Sequence, residues 1–152
     1  MDLNRFEFHY ESVIDAPWEA DIETLCPVLR IDSEWMHDSI DIAELVKSTR
    51  EGGDLEIFTC DCGYAPCSSI YPIGVHLTGD IVEWAIREPS FGSEDAGPDT
   101  IYRRFQFNRE AYTLAIAKAL AFAKHRQLIS PHRIKLVPYG LDNPRVLDLT
   151  ME

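Results

Sequence analysis

The chain reads as an α+β domain, with a mainly antiparallel sheet packed against a long C-terminal helix. Three observations carry that reading. Residues 73–78 and 81–87 alternate in polarity on either side of Gly79-Asp80, the strongest hairpin signal in the chain. Residues 109–128 are rich in Ala and Leu and hold no Gly or Pro, so they predict one long helix. Several other short segments show the period of two that marks a half-buried strand.

Taken in order, Phe6, Phe8 and Tyr10 share one side of a first strand, with Glu7 and His9 between them. Residues 15–25 hold Pro17 and a scatter of acids, and read as a loop with at most one helical turn. Residues 27–31 form a short second strand. Asp38, Ser39, Ile40 and Asp41 open a helix with acids at its positive end, and Gly52-Gly53 stops it. Its apolar stripe is Ile42, Leu45 and Val46. Residues 55–60 are the next strand, with Leu55, Ile57 and Thr59 on one side. The hairpin follows, then a loop by composition over residues 88–100, then a strand over 101–107.

Asn108 is a good N-cap for the long helix, which ends on Lys124, His125 and Arg126. Leu114, Ala117, Leu120 and Ala121 fall at helical spacing and are expected to face the sheet, flanked by Ile116 and Ala123. The expected core joins Val75, Leu77, Val82, Trp84 and Ile86 of the hairpin to Leu114 and Leu120. Pro131 bars continuation of the helix, residues 133–137 form a last short strand, and an extended arm follows Gly140. No repeat or linker interrupts the 152 residues, so residues 1–152 are expected to form one domain.

The formal net charge is −12, which argues against a nucleic-acid binder. The acids are unevenly placed. Residues 1–61 carry sixteen Asp and Glu against four Lys and Arg, whereas residues 62–152 balance at ten of each. Two readings follow: an acidic face that meets a basic partner, or a solvated surface that keeps the protein soluble. No apolar run approaches the roughly 18 residues of a membrane span. The N-terminal MDLNRFEFHYES lacks the basic and apolar regions of a secretory signal, so a cytoplasmic location with reduced thiols is the expectation.

Cys60, Cys62 and Cys67 place three thiols within eight residues, next to Gly63 and Pro66. Zinc takes four ligands in a tetrahedron, and Cys26 and His76 are candidates for the fourth. The spacing is not the usual C-x-x-C. A tight turn with small buried cysteines explains the same residues, and a disulfide or redox role stays open.

The order of these motifs resembles a poorly characterised group of small bacterial proteins. The residues that carry the resemblance are Gly52-Gly53, then Cys60, Cys62, Gly63 and Cys67, then Trp84, then Phe105-Gln106-Phe107-Asn108 leading into the helix of Tyr112. It spans roughly residues 38–123 and leaves out the acidic first third and the tail. Small acidic proteins of this sort often serve as immunity partners of polymorphic toxins, so the resemblance implies an inhibitor that binds a toxin.

The sequence lacks a phosphate-binding loop, a dinucleotide fingerprint, H-E-x-x-H and G-x-S-x-G. His125 and His132 flank Ser130 without an acid nearby in sequence, and His125 suits the helix end. The function expected is therefore a non-enzymatic, cytoplasmic, immunity-type inhibitor of a basic protein effector. Trp18 and Trp35, in acidic surroundings, are its candidate anchors, with the alternative that they are buried. Asp38, Asp41 and Glu44, on one helical face, are the candidate acidic contacts, although acids at a helix start need no ligand. The alternative reading is a small zinc-stabilised domain held by Cys60, Cys62 and Cys67. No nucleic-acid or membrane partner is expected.

Overall fold

A computed structural model describes residues 2–13, 23–36, 39–59, 72–87, 101–129 and 134–136. Among these described residues, two four-stranded sheets and a 21-residue helix enclose a common core. The first sheet contains β1 (Phe6–Val13), β2 (Glu23–Ile31), β3 (Glu34–Trp35) and β8 (Ile134–Leu136). β2 is antiparallel to β1 and β3, and parallel to β8 over Glu23, Thr24 and Leu25. Phe6, Phe8 and Tyr10 stand opposite Ile31, Leu29 and Pro27, so their common face is the core face. Pro27 lies between the stretches of β2 that pair with β8 and with β3. The amide of Asp32 donates to the Arg5 carbonyl and that of Met36 to the Leu29 carbonyl, so odd-numbered residues of β2 turn their backbone groups away from β1. The missing N–H of Pro27 therefore breaks no rung with β1.

β2 begins four residues earlier than the expected strand. Its first residue, Glu23, is ion-paired with Arg126 of the long helix, 103 residues away. The guanidinium holds the Glu23 carboxyl below its ordinary pKa. An acid that reads as loop is a strand residue because its backbone pairs with Ile134 of β8, and Arg126 meets its carboxylate.

The second sheet runs β4 (Gly53–Leu55), β5 (Ile73–Thr78), β6 (Ile81–Arg87) and β7 (Ile101–Asn108), antiparallel throughout. The hairpin stands where expected, and Gly79 takes the left-handed conformation its tight turn needs. Val75, Trp84 and Phe105 form one row across the sheet, and Leu77, Val82 and Phe107 the next. The expected strand over 55–60 is shorter. β4 ends at Leu55, and beyond it Phe58 makes a single bridge to Ile40. Ile57, Phe58 and Thr59 are all buried, so this segment has no solvent face to alternate against.

The first helix is also shorter than expected. α1 covers Ile42–Lys47, with Asp41 as its N-cap. The amide of Gly52 begins the return to the sheet; a Cβ there would lie 2.9 Å from the Val75 carbonyl oxygen, too close for any other residue.

α2 (Arg109–Ile129) is capped as expected: the Asn108 side chain accepts from the Ala111 amide at 2.9 Å. Its buried face is Tyr112, Ile116, Ala119, Leu120 and Ala123. This corrects the expected face. Leu120 is in the core, but Leu114 is half exposed, and Ala117 and Ala121 face outward. Because α2 is apolar nearly all round, its sequence leaves the buried side undecided, and packing on β1, β6 and β7 decides it. Phe6 joins the layers: its ring meets Tyr112 at 4.4 Å, Phe107 at 5.3 Å and Trp84 at 6.0 Å between centroids.

Candidate interaction surface

β2 and β3 are joined by a two-residue turn at Asp32-Ser33, with φ of 51° and 71°. Positive φ at both central residues is the geometry of a type I′ turn, which glycine and asparagine occupy most easily. Here the cost is offset by contacts with the start of β1. The Asp32 carboxylate accepts from the Arg5 amide and from Asn4 Nδ2, both at 2.7 Å. The Arg5 guanidinium donates to Ser33 Oγ at 2.8 Å. These hydrogen bonds, led by the Arg5 amide, hold the Asp32 carboxyl below its ordinary pKa.

The clamped turn presents Trp35. Its backbone pairs with Arg30, and the residue is 55% exposed. Glu7, Arg30 and Trp35 form one row on the outer face of the sheet. His9 and Glu11 share that face, with His9 Nε2 3.1 Å from Glu11 Oε1. Glu34, next to Trp35, takes two hydrogen bonds from Arg103 of β7 at 3.0 and 3.2 Å. Arg5 pairs with Glu7. Around Trp35, acids and cations therefore alternate, and the indole is the large apolar group among them.

The other expected contacts separate. Trp18 and Asp38 lie outside the described residues. Asp41 is fully buried: its Oδ1 accepts from the Glu44 amide at 3.1 Å, and its own amide donates to the Ile57 carbonyl at 3.0 Å. It caps α1 from the interior and does not belong to an acidic rim. Glu44 is partly buried in the first turn of the same helix. Helical periodicity put these acids on one face, but α1 is buried on most sides through Ile42, Ala43, Leu45 and Val46.

Cys60, Cys62 and Cys67 also lie outside the described residues. Cys26 is partly buried on β2. His76 is exposed on β5, in a concave patch of about 410 Å³ with Thr78, Ile81, Glu83 and Gln106. The Glu83 carboxylate there accepts from Arg104 and Gln106 at 3.2 and 3.1 Å. Among the described residues no group of three His, Cys, Asp or Glu side chains converges as a metal site. None of the described helices is long and apolar enough to cross a membrane.

The sequence reading missed two features. One is the Asp32-Ser33 turn, whose available signal was an Asp able to enter the left-handed region between two apolar segments. The other is the outward apolar side of α2, visible only as an excess of apolar residues over what one buried stripe requires. The chain matches no protein-family model, no curated protein and no solved structure.

Proposed function

We propose that this protein is a non-enzymatic, cytoplasmic, immunity-type inhibitor that binds a basic protein effector through the surface around Trp35. The observation that carries this reading is the exposed indole on a hairpin clamped by Asn4, Arg5 and Asp32. A large aromatic side chain held at the surface by a rigid turn gives contact area with little ordering cost, which is what a binding anchor requires. The net charge of −12 adds long-range steering of a cationic partner. The local acids near Trp35 are paired, so they set orientation, and the indole sets the lifetime of the complex.

The test is protection and kinetics with the product of the adjacent reading frame. Co-expression of this chain should relieve the toxicity of that product. Trp35→Ala should raise the dissociation rate about thirtyfold, as for a binding hot spot of about 2 kcal/mol. Higher salt should slow association. Protection that is unchanged in Trp35→Ala, with unaltered kinetics, would remove Trp35 from the interface.

A further inference from the structure

β3 is an edge strand of the first sheet: among the described residues its one strand neighbour is β2. The register fixes which of its backbone groups face that edge. Glu34 stands opposite Ile31 across the two-residue turn, Trp35 stands opposite Arg30, and the Met36 amide donates to the Leu29 carbonyl at 3.1 Å. Hydrogen-bonded and non-hydrogen-bonded pairs alternate along an antiparallel ladder, so Glu34 and Met36 turn their N–H and C=O toward β2. Those of Trp35 turn the other way, out of the sheet, and no described residue meets them. An exposed N–H and C=O on one edge residue form a template for a further strand. The side chain at the same position is the exposed indole.

We propose that the partner docks by strand addition: an extended segment of a cationic protein lies along β3, and one of its residues exchanges both backbone hydrogen bonds with Trp35. The proposal rests on the reading of Trp35 as the binding anchor, and adds the form of the segment that the anchor receives. Backbone geometry selects an extended chain. The free N–H and C=O of Trp35 leave one residue in one direction, and a strand answers both, whereas a helix bonds its own backbone groups internally. Charge selects a cationic chain over a second copy. A two-fold pairing of two β3 edges brings together two molecules of net charge −12, which repel.

The edge offers one rung rather than a long ladder. β3 contains Glu34 and Trp35 alone, and so short an edge resists indiscriminate pairing. The rung is nonetheless held ready. Asn4 and Arg5 clamp the Asp32-Ser33 turn, Arg103 of β7 holds the Glu34 carboxylate, and Met36 is buried just beyond. Trp35 is therefore fixed on both sides, and pairing orders little of this chain. The partner residue opposite Trp35 must supply an N–H, so it is not proline.

The test uses the full chain and the product of the adjacent reading frame. Amide exchange read by NMR should be fast at Trp35 in the free protein and slow at Met36, whose amide is bonded to Leu29. In the complex, exchange at Trp35 should slow at least about tenfold. A second measurement separates the backbone from the indole. Replacing the Trp35 peptide N–H with an ester oxygen, by incorporating the α-hydroxy analogue of tryptophan, removes the donor and keeps the ring. Binding should weaken about tenfold, as for one hydrogen bond. The ester also weakens the Glu34 carbonyl as an acceptor, so the circular dichroism spectrum checks the fold. Suppose Trp35→Ala weakens the complex, yet the Trp35 amide exchanges as in the free protein or the ester binds as the wild type does. Strand addition is then overturned and the indole anchor stands. Protection of the Trp35 amide in concentrated protein without a partner would also overturn it, because a second copy then takes the edge. If the two proteins form no complex, strand addition and the effector reading fall together.

Discussion

The phenol of Tyr112 and the hydroxyl of Ser48, 64 residues apart, meet by a hydrogen bond inside the core. Ser48 Oγ donates in turn to the Leu45 carbonyl, so the Tyr112 hydroxyl is the donor to Ser48. This short polar chain ties the middle of the fold, just after α1, to the first turns of α2. Both residues have no solvent exposure. Burial pushes the Tyr112 pKa well above the ordinary phenol range.

Tyr112→Phe should therefore cost about 1–2 kcal/mol, because the aromatic packing survives while Ser48 loses its partner. The pH dependence has a definite sign. A pKa higher in the folded than in the unfolded protein means stability that is complete below about pH 10 and lost as pH rises further. Urea midpoints between pH 8 and 11 should fall for the wild type and fall less for Tyr112→Phe. Equal alkaline slopes in the two proteins would show that Tyr112 is not the group responsible.

The two sides of α2 should respond oppositely to truncation. Leu120 is buried among Tyr112, Ile116 and Ala123, so Leu120→Ala is expected to cost about 2–5 kcal/mol. Leu114→Ala, on the outer side, should change the stability of dilute protein by less than about 0.5 kcal/mol. Chemical denaturation of both variants checks the face assignment. A larger loss for Leu114 than for Leu120 would invert it.

The Asp32-Ser33 turn makes a conformational prediction. Ser33→Val should cost roughly 1–2 kcal/mol, since a β-branched side chain fits the left-handed region poorly. Ser33→Gly should be tolerated within about 0.5 kcal/mol, because the relaxed backbone compensates for the lost contact with Arg5. Thermal melts of the two variants make the comparison, and equal melting temperatures would contradict a left-handed Ser33.

Asp32 itself has an acid signature. Its carboxyl is held low in the folded protein, so its contribution is present above the unfolded value of about 3.9 and lost as pH falls through the lower folded value. The wild type should be more stable than Asp32→Asn at pH 6, with the difference shrinking toward pH 2. Denaturation midpoints across that interval provide the measurement. A gap that stays constant would rule out titration of Asp32 as its source.

The zinc alternative predicts near one equivalent of metal in purified protein and a lower thermal midpoint after chelation. Replacing Cys60, Cys62 and Cys67 with Ser should abolish both effects. Metal-free protein whose melting is unchanged by a chelator would leave these cysteines as turn and core residues.

Local chemistry made several elements legible in the sequence. Gly79-Asp80 announced the hairpin because few residues enter a tight left-handed turn, and Asn108 announced α2 because its amide oxygen caps a free N–H. The period of two placed Phe8 and Tyr10 on the core face of β1, and the placement of Val75, Val82, Trp84 and Ile86 in the core followed from the same alternation. These signals act within a few residues, so composition and spacing contain them.

What tertiary structure decided is of another kind. Glu23 became a strand residue through pairing with Ile134 of β8, Asp41 was drawn into the interior by the packing of α1, and Leu114 was left outside because β1, β6 and β7 claimed the Tyr112 side of α2. Trp35 reached the surface on a turn whose unfavourable backbone is held by Asn4 and Arg5, nearly thirty residues earlier. In each case the deciding partner is distant in sequence. A periodic pattern states that a side chain has an apolar or an acidic face, but which neighbour that face meets is set only when the chain closes on itself.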